Sequence, residues 1–248
     1  MKKIIAALFT LLMSGSLMAA IPNPIRFATE ATYPPFEYTD ESGKIKGFDI
    51  DIAQALCQQM KVECTFSNQS FNSLVPSLKI GKFDAVIASL GVTSERLKQV
   101  DFTNAYYEPS AVFVAALNKH YTLNDIDGKS VGAQEGSTFL KYLQDKYGNK
   151  ITVKSYASVQ DAFLDLVAGR VDLVLADTPI ATTWIKQPAN IKQFAIIGKP
   201  IADHEYFGVG YGIAVRKNNP ELLNAFNKAL ADIKANGIYQ KIRKQYGY

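Results

Sequence analysis

The sequence predicts an α/β protein made of two similar lobes, and two observations carry that prediction. Apolar runs typical of buried strands alternate along the chain with segments of helical periodicity, which favours parallel strands flanked by helices. In addition, residues 78–89 and 166–177 share one pattern at a constant offset: the end of a helix, a glycine, a basic residue, and a strand introduced by an aspartate. Any junction between a helix and a strand can look like this, so a coincidence stays open beside a duplicated unit.

Length and composition fit an ordinary globular protein of one or two domains. The chain has 248 residues, of which 48% are hydrophobic and 20% are charged. Its formal charge is +4, and removal of Lys2 and Lys3 with the N-terminal segment would leave it close to neutral. Because the basic residues occur singly, without interleaved aromatic residues, the sequence does not favour nucleic-acid binding.

The first twenty residues have the features of a secretory signal peptide. Two lysines precede an apolar run at 4–13 and a polar break at 14–16, and the small residues Ala19 and Ala20 follow. A membrane anchor is the weaker interpretation, because the apolar run is short of the ~20 residues that span a bilayer. We expect cleavage after Ala19 or Ala20 and a soluble protein in an exported, oxidising compartment, without a lipid on its N-terminus.

Cys57 and Cys64 are the two cysteines of the sequence, and an oxidising compartment makes them disulfide partners. In an unbroken helix, seven residues rise about 10.5 Å, which exceeds the ~7 Å limit for bridged Cα atoms. The helix that carries Cys57 must therefore end near residues 60–61. A metal site is the weaker alternative, because neither histidine has ligand spacing to a cysteine.

Apolar periodicity and capping residues predict the other helices and strands. Ser73 can cap a helix that ends at Gly81, with Pro76 in its first turn. The predicted strands are 25–29, 83–88, 171–176 and 207–215, and the predicted helices are 48–60, 73–81, 138–147, 159–168, one that opens at 179, and 220–236.

Two charged residues fall on different halves of the chain and suit the opposite charges of one small ligand. Arg96 lies in the first turn of a short helix that Ser94 can cap, where free N–H groups and a guanidinium together suit a carboxylate. Asp177 ends a strand, and because Thr178 can cap the next helix, Asp177 is free to accept from an ammonium group. An amino acid carries both charges on one carbon. A surface ion pair at Arg96 and a capping role for Asp177 stay open.

The loop after the first predicted strand suits a positively charged side chain. It contains Glu30 and Tyr33 beside two prolines, and Phe71 lies further along the chain. A carboxylate and aromatic faces can hold a cation by charge pairing and by stacking, which contributes about 0.5–2 kcal/mol per ring. Ordinary packing is the alternative for both rings. A second helix N-terminus is predicted at Ser137 and Thr138, with a plain cap as its alternative.

Five segments of the sequence resemble the periplasmic solute-binding proteins of ABC importers, in the branch that binds polar amino acids. The resemblance covers essentially the whole chain after the predicted signal peptide, and it is strongest to arginine-binding members of the family. The segments that carry it are 28–36, 47–53, 74–78, 93–96 and 206–210.

This resemblance implies a two-lobed periplasmic-binding-protein fold of type II, in which each lobe is a mostly parallel sheet flanked by helices. Two hinge strands would join lobe 1, residues 21–109 and 203–248, to lobe 2, residues 110–202. The protein would be a periplasmic monomer that closes on a basic amino acid, above all L-arginine, and delivers it to an ABC transporter permease at the inner membrane. It would need no cofactor and no metal.

The resemblance also assigns the α-groups of the ligand to particular residues. Arg96 would bind the α-carboxylate together with the backbone N–H groups of Gly91 and Thr138. Asp177 would bind the α-ammonium group together with Ser89.

The ligand side chain would lie between Tyr33 and Phe71, with Glu30 at its cationic end. Relatives that bind histidine or lysine usually have aspartate at the position of Glu30, and the longer glutamate can pair with a guanidinium in a forked arrangement. We therefore expect a preference for arginine. The remaining candidate binding residues are Leu90, Gln134 and Ser137.

An exported enzyme on the same scaffold, such as a dehydratase, is the alternative function. Against it, the candidate residues include no histidine, no thiol and no metal set. Their carboxylates each have a charge of the expected ligand to neutralise. Among them, Glu30 is the one plausible general acid. A sensor domain of a receptor is disfavoured because the sequence after the signal peptide has no segment of membrane-spanning length.

Overall fold

The structure is a computed structural model, and it describes residues 21–248. The predicted signal peptide, residues 1–20, lies outside the described residues. Within residues 21–248, none of the helices is long and apolar enough to cross a membrane.

The strands of the described residues form two five-stranded sheets and one three-stranded sheet. They are β1 (Ile25–Thr29), β2 (Thr32–Tyr33), β3 (Glu37–Thr39), β4 (Ile45–Lys46), β5 (Cys64–Asn68), β6 (Ala85–Val86), β7 (Val100–Phe102), β8 (Ala111–Ala116), β9 (Ser130–Gln134), β10 (Thr152–Tyr156), β11 (Leu173–Asp177), β12 (Phe194–Ile201) and β13 (Ala214–Arg216).

The α-helices of the described residues cover the faces of the two larger sheets. They are α1 (Phe48–Met60), α2 (Phe71–Lys79), α3 (Ser94–Leu97), α4 (Thr138–Tyr147), α5 (Val159–Val167), α6 (Thr178–Ile185), α7 (His204–Phe207), α8 (Pro220–Ala235) and α9 (Ile238–Gln245). Short 3-10 turns lie at Leu117–Lys119, Leu123–Asp125 and Gly148–Lys150.

The two five-stranded sheets have equivalent strand orders, β5-β1-β6-β13-β7 in the first and β10-β9-β11-β8-β12 in the second. In each sheet the first two pairings are parallel and the last two are antiparallel. The sheets are therefore mixed rather than mostly parallel. Strands β13 and β8 run in the opposite direction to the other strands of their sheets. Each is the first strand that the chain forms after it has crossed over from the other sheet.

The chain passes between the sheets twice, through crossing segment 1 (residues 103–110) and crossing segment 2 (residues 202–213). The two segments are hydrogen-bonded to each other at two places. The N–H of Tyr106 donates to the carbonyl of Tyr211 and the N–H of Tyr211 donates to the carbonyl of Tyr107, both at 2.8 Å, and the N–H of Thr103 donates to the carbonyl of Ile213 at 3.0 Å. We call the halves built on the first and second sheets lobe 1 and lobe 2. The predicted two-lobed fold is confirmed.

The pattern repeated along the sequence falls at equivalent places in the two lobes, where α2 leads to β6 and α5 leads to β11. The aspartates of the pattern have the same role. Asp84 accepts the backbone N–H of Arg26 at 3.0 Å, and Asp172 accepts that of Ser130 at 2.8 Å. Each carboxylate thus fastens the start of the neighbouring parallel strand, which supports a duplicated unit rather than a coincidence.

Helix α1 ends where the disulfide requires it to end. Its last residue is Met60, and Lys61 takes a left-handed conformation that turns the chain back. The Cα atoms of Cys57 and Cys64 are consequently 6.2 Å apart and the two cysteines are bridged, as predicted.

Three local predictions were wrong. Helix α2 begins at Phe71 with Ser70 as its N-cap, so Ser73 lies inside the helix, where its hydroxyl donates to the carbonyl of Ser70 at 2.8 Å. Pro76 therefore lies beyond the first turn. The predicted strand 83–88 shortens to β6, and helix α9 follows the helix that was expected to be the last.

The predicted strand at 207–215 is also wrong, since only β13 is a strand there. The alternating apolar residues are separated by glycines, and Gly208 adopts a φ of 80° in close contact with another backbone. A Cβ at this glycine would lie 2.2 Å from the carbonyl oxygen of Val92. The run therefore follows an irregular path through crossing segment 2.

We predict that Asp84→Ala and Asp172→Ala each lower the free energy of unfolding by about 1–3 kcal/mol, because each leaves a partly buried strand N–H without its acceptor. Urea unfolding followed by circular dichroism measures the effect. Asp145→Ala is the control, because that carboxylate lies on the exposed side of α4 in an ion pair with Lys141. Unfolding midpoints of all three variants equal to that of the wild type would contradict the role of the repeated aspartate.

Candidate functional site

Residues from both lobes converge on a small cavity between the sheets, with a volume of about 20 Å³. That volume holds one water molecule, so an amino acid gains access only if the lobes part. Nine of the eleven predicted binding residues line the cavity, while Leu90 lines an adjoining outer groove and Asp177 lies behind two tyrosines. The lining residues are Glu30, Tyr33, Phe71, Ala88, Ser89, Gly91, Arg96, Gln134, Ser137, Thr138, Phe139 and Tyr211.

Glu30 follows β1 and is buried against lobe 2. Both of its carboxylate oxygens accept from the side-chain amide of Gln134 at 2.9 Å, and one also accepts from the hydroxyl of Thr32 at 2.8 Å. Burial raises the pKa of Glu30, although the hydrogen bonds from Gln134 and Thr32 oppose the shift. None of the ion pairs within residues 21–248 includes this carboxylate. Glu30 is thus a buried acid held by neutral donors, and a cation would stabilise its charge.

Asp177 ends β11 and is fully buried. It accepts the hydroxyl of Tyr33 at 3.1 Å and the hydroxyl of Tyr211, both from lobe 1. Its Oδ1 atom is buried without a hydrogen-bond partner. Burial raises the pKa of Asp177 to about 7, although the two tyrosine hydrogen bonds oppose the shift. The free oxygen can accept from an ammonium group.

The capping role that the sequence left open for Asp177 is not taken up by its side chain, and the expected cap by Thr178 is not formed either. Asp177 holds the N-cap position of α6 without a side-chain capping bond. The hydroxyl of Thr178 instead donates to the carbonyl of Ser110 at 3.0 Å, because Thr178 is already the first helical residue.

Arg96 lies in the short helix α3, whose N-cap is Thr93 rather than the predicted Ser94. The hydroxyl oxygen of Thr93 accepts the backbone N–H of Arg96 at 3.2 Å, which fixes the start of the helix one residue earlier.

The guanidinium of Arg96 spans the two lobes. It donates to the carbonyl of Gly91 at 3.0 Å in lobe 1 and to the carbonyl of Gly136 at 3.1 Å in lobe 2. The ring of Phe71 lies 5.6 Å from the guanidinium carbon. Burial lowers the pKa of Arg96 to about 10, so the group stays charged at neutral pH. Its hydrogen bonds go to neutral carbonyls, which leaves its positive charge without a carboxylate partner among the described residues.

The start of α4 and the end of β6 supply the remaining polar groups. Ser137 caps α4 by accepting the N–H of Leu140 at 3.1 Å, and its hydroxyl donates to the carbonyl of Gln134 at 2.6 Å. Thr138 is the first residue of that helix. Ser89 has a positive φ of 46°, and its hydroxyl oxygen is buried without a partner at the cavity.

Sequence reasoning missed Tyr211, which was predicted to lie in a strand and was given no role at the site. Its hydroxyl donates to Asp177, and its backbone joins the two crossing segments. The alternating run around Tyr211 carries no local signal for this role, because the partner Asp177 lies in the other lobe.

Comparison with known proteins assigns the family. The profile of the bacterial extracellular solute-binding proteins, family 3, matches residues 25–248. The chain belongs to this family. It is 48% identical over 246 residues, 99% of each of the two proteins, to ABC transporter arginine-binding protein 1 of Escherichia coli strain K12. It is also 39% identical over 253 residues, 99% of this chain and 97% of the relative, to the lysine/arginine/ornithine-binding periplasmic protein of the same strain.

Solved structures of solute-binding proteins share the fold. A Salmonella typhimurium periplasmic binding protein described for its high arginine specificity matches with a TM-score of 0.84 and 43% identity, over 90% of this chain and 99% of that one. An ancestral arginine-binding protein bound to arginine matches with a TM-score of 0.85 and 38% identity, over 92% of this chain and 100% of that one.

These relatives are binding proteins of ABC transporters, so this protein is a solute-binding protein and not an enzyme. The periplasmic relatives place it in the periplasm, as the sequence predicted. No group of three or more histidine, cysteine, aspartate or glutamate side chains within residues 21–248 is arranged to hold a metal ion.

We predict that the solute-binding protein without ligand becomes less stable as the pH rises from about 4 to 7. The pKa of Asp177 is about 7 in the folded chain, whereas the ordinary pKa of an aspartate is 3.8. Between these two values the folded chain holds a proton that the unfolded chain has lost. Raising the pH removes that proton, at a cost of about 2–4 kcal/mol in the free energy of unfolding. Urea unfolding at several pH values measures the slope.

Asp177→Asn is the matched variant, because it keeps the shape of the side chain and cannot titrate. Its stability should fall less steeply over the same window, although Glu30 still contributes in the same direction. Equal slopes for the variant and the wild type would contradict the assignment.

Proposed function

We propose that the protein binds L-arginine between its two lobes and delivers it to an ABC transporter permease at the inner membrane. The single observation that carries this proposal is the set of three charged side chains at or directly behind the cavity, Arg96, Asp177 and Glu30, of which none forms an ion pair with another described residue. One positive and two negative groups match the one negative and two positive groups of arginine.

The α-groups of the ligand fit Arg96 and Asp177. The guanidinium of Arg96 is fixed by two carbonyls and keeps its charge, so it can pair with the α-carboxylate beside the first turn of α4 at Thr138. Oδ1 of Asp177 and the hydroxyl oxygen of Ser89 are both buried without partners, and both can accept from an α-ammonium group. These residues define a site for any α-amino acid.

The side chain of the ligand is selected by Glu30. Its two oxygens already accept from the planar amide of Gln134, and a guanidinium presents the same kind of donor with a positive charge added. Phe71 and Tyr33 line the space between Glu30 and the α-group residues. Arginine therefore suits the site better than a neutral amino acid of equal length.

Binding couples to the opening and closing of the lobes. Hydrogen bonds between the lobes link Glu30 to Gln134, Tyr33 to Asp177, and Arg96 to Gly136. A bound ligand has to replace some of these hydrogen bonds. Arginine stabilises the closed arrangement because it bonds groups of both lobes at once. The closed surface is then the form that the permease recognises.

The resemblance to the family also supports the finer assignments that we propose here. The mature protein is a monomer that begins after Ala19 or Ala20. Lobe 1 comprises residues 21–109 and 203–248, and lobe 2 comprises residues 110–202, with both boundaries in the crossing segments.

We predict that isothermal titration detects tight binding of L-arginine and at least about thirtyfold weaker binding of L-citrulline, because citrulline keeps the shape of arginine and lacks the charge that Glu30 meets. Glu30→Gln should narrow the ratio of the two affinities by weakening arginine binding. The control is Glu41→Gln, in an exposed turn, which should keep the wild-type ratio. Equal affinities of the wild type for arginine and citrulline would rule out the charge-based selection.

We also predict that Arg96→Ala and Asp177→Ala each weaken arginine binding by at least about 2 kcal/mol, since each leaves a charge of the ligand unpaired in a desolvated site. Titration calorimetry measures both variants. Arg170→Ala is the control, because this arginine is exposed and pairs with Asp165 in lobe 2. Wild-type affinity in either site variant would refute the proposed binding mode.

A further inference from the structure

Asp49 is a fully buried carboxylate that does not line the cavity, although it contacts residues that shape the cavity. It is the second residue of α1. Its Oδ2 atom accepts two hydrogen bonds at 2.7 Å, from the backbone N–H of Ser89 and from the hydroxyl of Tyr106. Ser89 lies at the cavity, and Tyr106 lies in crossing segment 1. One carboxylate thus ties the binding site to a connection between the lobes.

The hydrogen bond from Ser89 to Asp49 is needed because the backbone of Ser89 is strained. It is the one buried non-glycine residue with a positive φ in the described part of the chain, and the others lie in exposed turns at Lys61, His120 and Asn218. A left-handed conformation disfavours any residue with a Cβ. In this conformation the Ser89 hydroxyl oxygen lies at the cavity without a partner. The hydrogen bond from its N–H to Asp49 opposes the strain.

Glu37 completes the arrangement from β3. Glu37 Oε2 and Asp49 Oδ1 are both buried without hydrogen-bond partners. Burial and the charge of Asp49 raise the pKa of Glu37 well above its usual range. The negative charge stays on Asp49, in the first turn of α1, where the helix dipole stabilises it.

We propose that Asp49 is a positioning residue of the binding site, whose carboxylate holds Ser89 and Tyr106 in place. The carboxylate holds the Ser89 hydroxyl at the cavity and fixes crossing segment 1 relative to it. This inference rests on the proposed function, because the site that Asp49 supports is the one assigned to the amino-acid ligand.

The test is a set of arginine affinities, measured by calorimetry at a temperature where every variant is folded. Asp49→Asn should weaken binding by roughly tenfold, because the charged acceptor of the Ser89 N–H is lost. Asp51→Asn is the control two residues along the same helix. Its carboxylate accepts from Tyr246 at 2.8 Å, away from the cavity, and its loss should leave affinity unchanged.

A double-mutant comparison separates positioning from a general loss of stability. Glycine adopts a positive φ without strain, so Asp49→Asn should have a much smaller effect on affinity in a Ser89→Gly background than in the wild type. An equal effect in both backgrounds, or wild-type affinity of Asp49→Asn, would overturn the positioning role.

The wild-type protein provides a measurement that does not depend on the folding of any variant. The Ser89 amide proton, donated to a buried carboxylate, should resonate far downfield and exchange slowly in the nuclear magnetic resonance spectrum. A fast-exchanging Ser89 amide would overturn the inference while leaving arginine binding intact. Failure of the wild type to bind any basic amino acid would instead overturn the proposed function, and the inference with it.

Discussion

The rest of the structure depends on charged groups, enclosed between the lobes, that form no ion pair with any of residues 21–248. Arg96, Asp177 and Glu30 lie between the lobes, where each is hydrogen-bonded only to neutral groups. Removing a charge from water costs several kcal/mol unless a partner compensates it. The closed arrangement is therefore costly by itself, and it becomes favourable when a molecule supplies the missing charges. The pKa of Asp177, raised to about 7, is the direct sign of this cost.

The duplicated sheet explains how one chain brings these groups together. Strands β6 and β11 occupy equivalent positions in the two lobes, and each ends close to the cavity, with Ser89 lining it after β6 and Asp177 lying behind two tyrosines at the end of β11. In α/β sheets the carboxyl ends of the strands are the usual place for ligands. Because the chain of residues 21–248 runs between the lobes through the two crossing segments, the two strand ends can move apart and return in register. The repeated aspartates Asp84 and Asp172 do not bind ligand but hold each strand in place.

Features that depend on local spacing were predictable, and features that depend on distant partners were not. The distance limit of the disulfide located the end of α1 at Met60, and the position of Asp177 after an apolar run identified it as a residue at a strand end. The roles of Tyr211 and Asp49 were missed because their partners are far away in the sequence. Ser73 was misplaced because several serines lie before α2, and capping preference alone does not distinguish among them.

The neutral bonds across the cavity are the reference against which the proposed ligand is selected by its charge. Each charged group already bonds a neutral group of the opposite lobe, such as Gln134 at Glu30 or Tyr33 at Asp177. A ligand that replaces a neutral donor by a cation exchanges one hydrogen bond for a stronger one, whereas a neutral ligand gains nothing over the bond that it displaces. In the proposed binding mode, selection against uncharged side chains therefore needs no steric barrier. The same neutral bonds also guide the lobes back to one closed geometry.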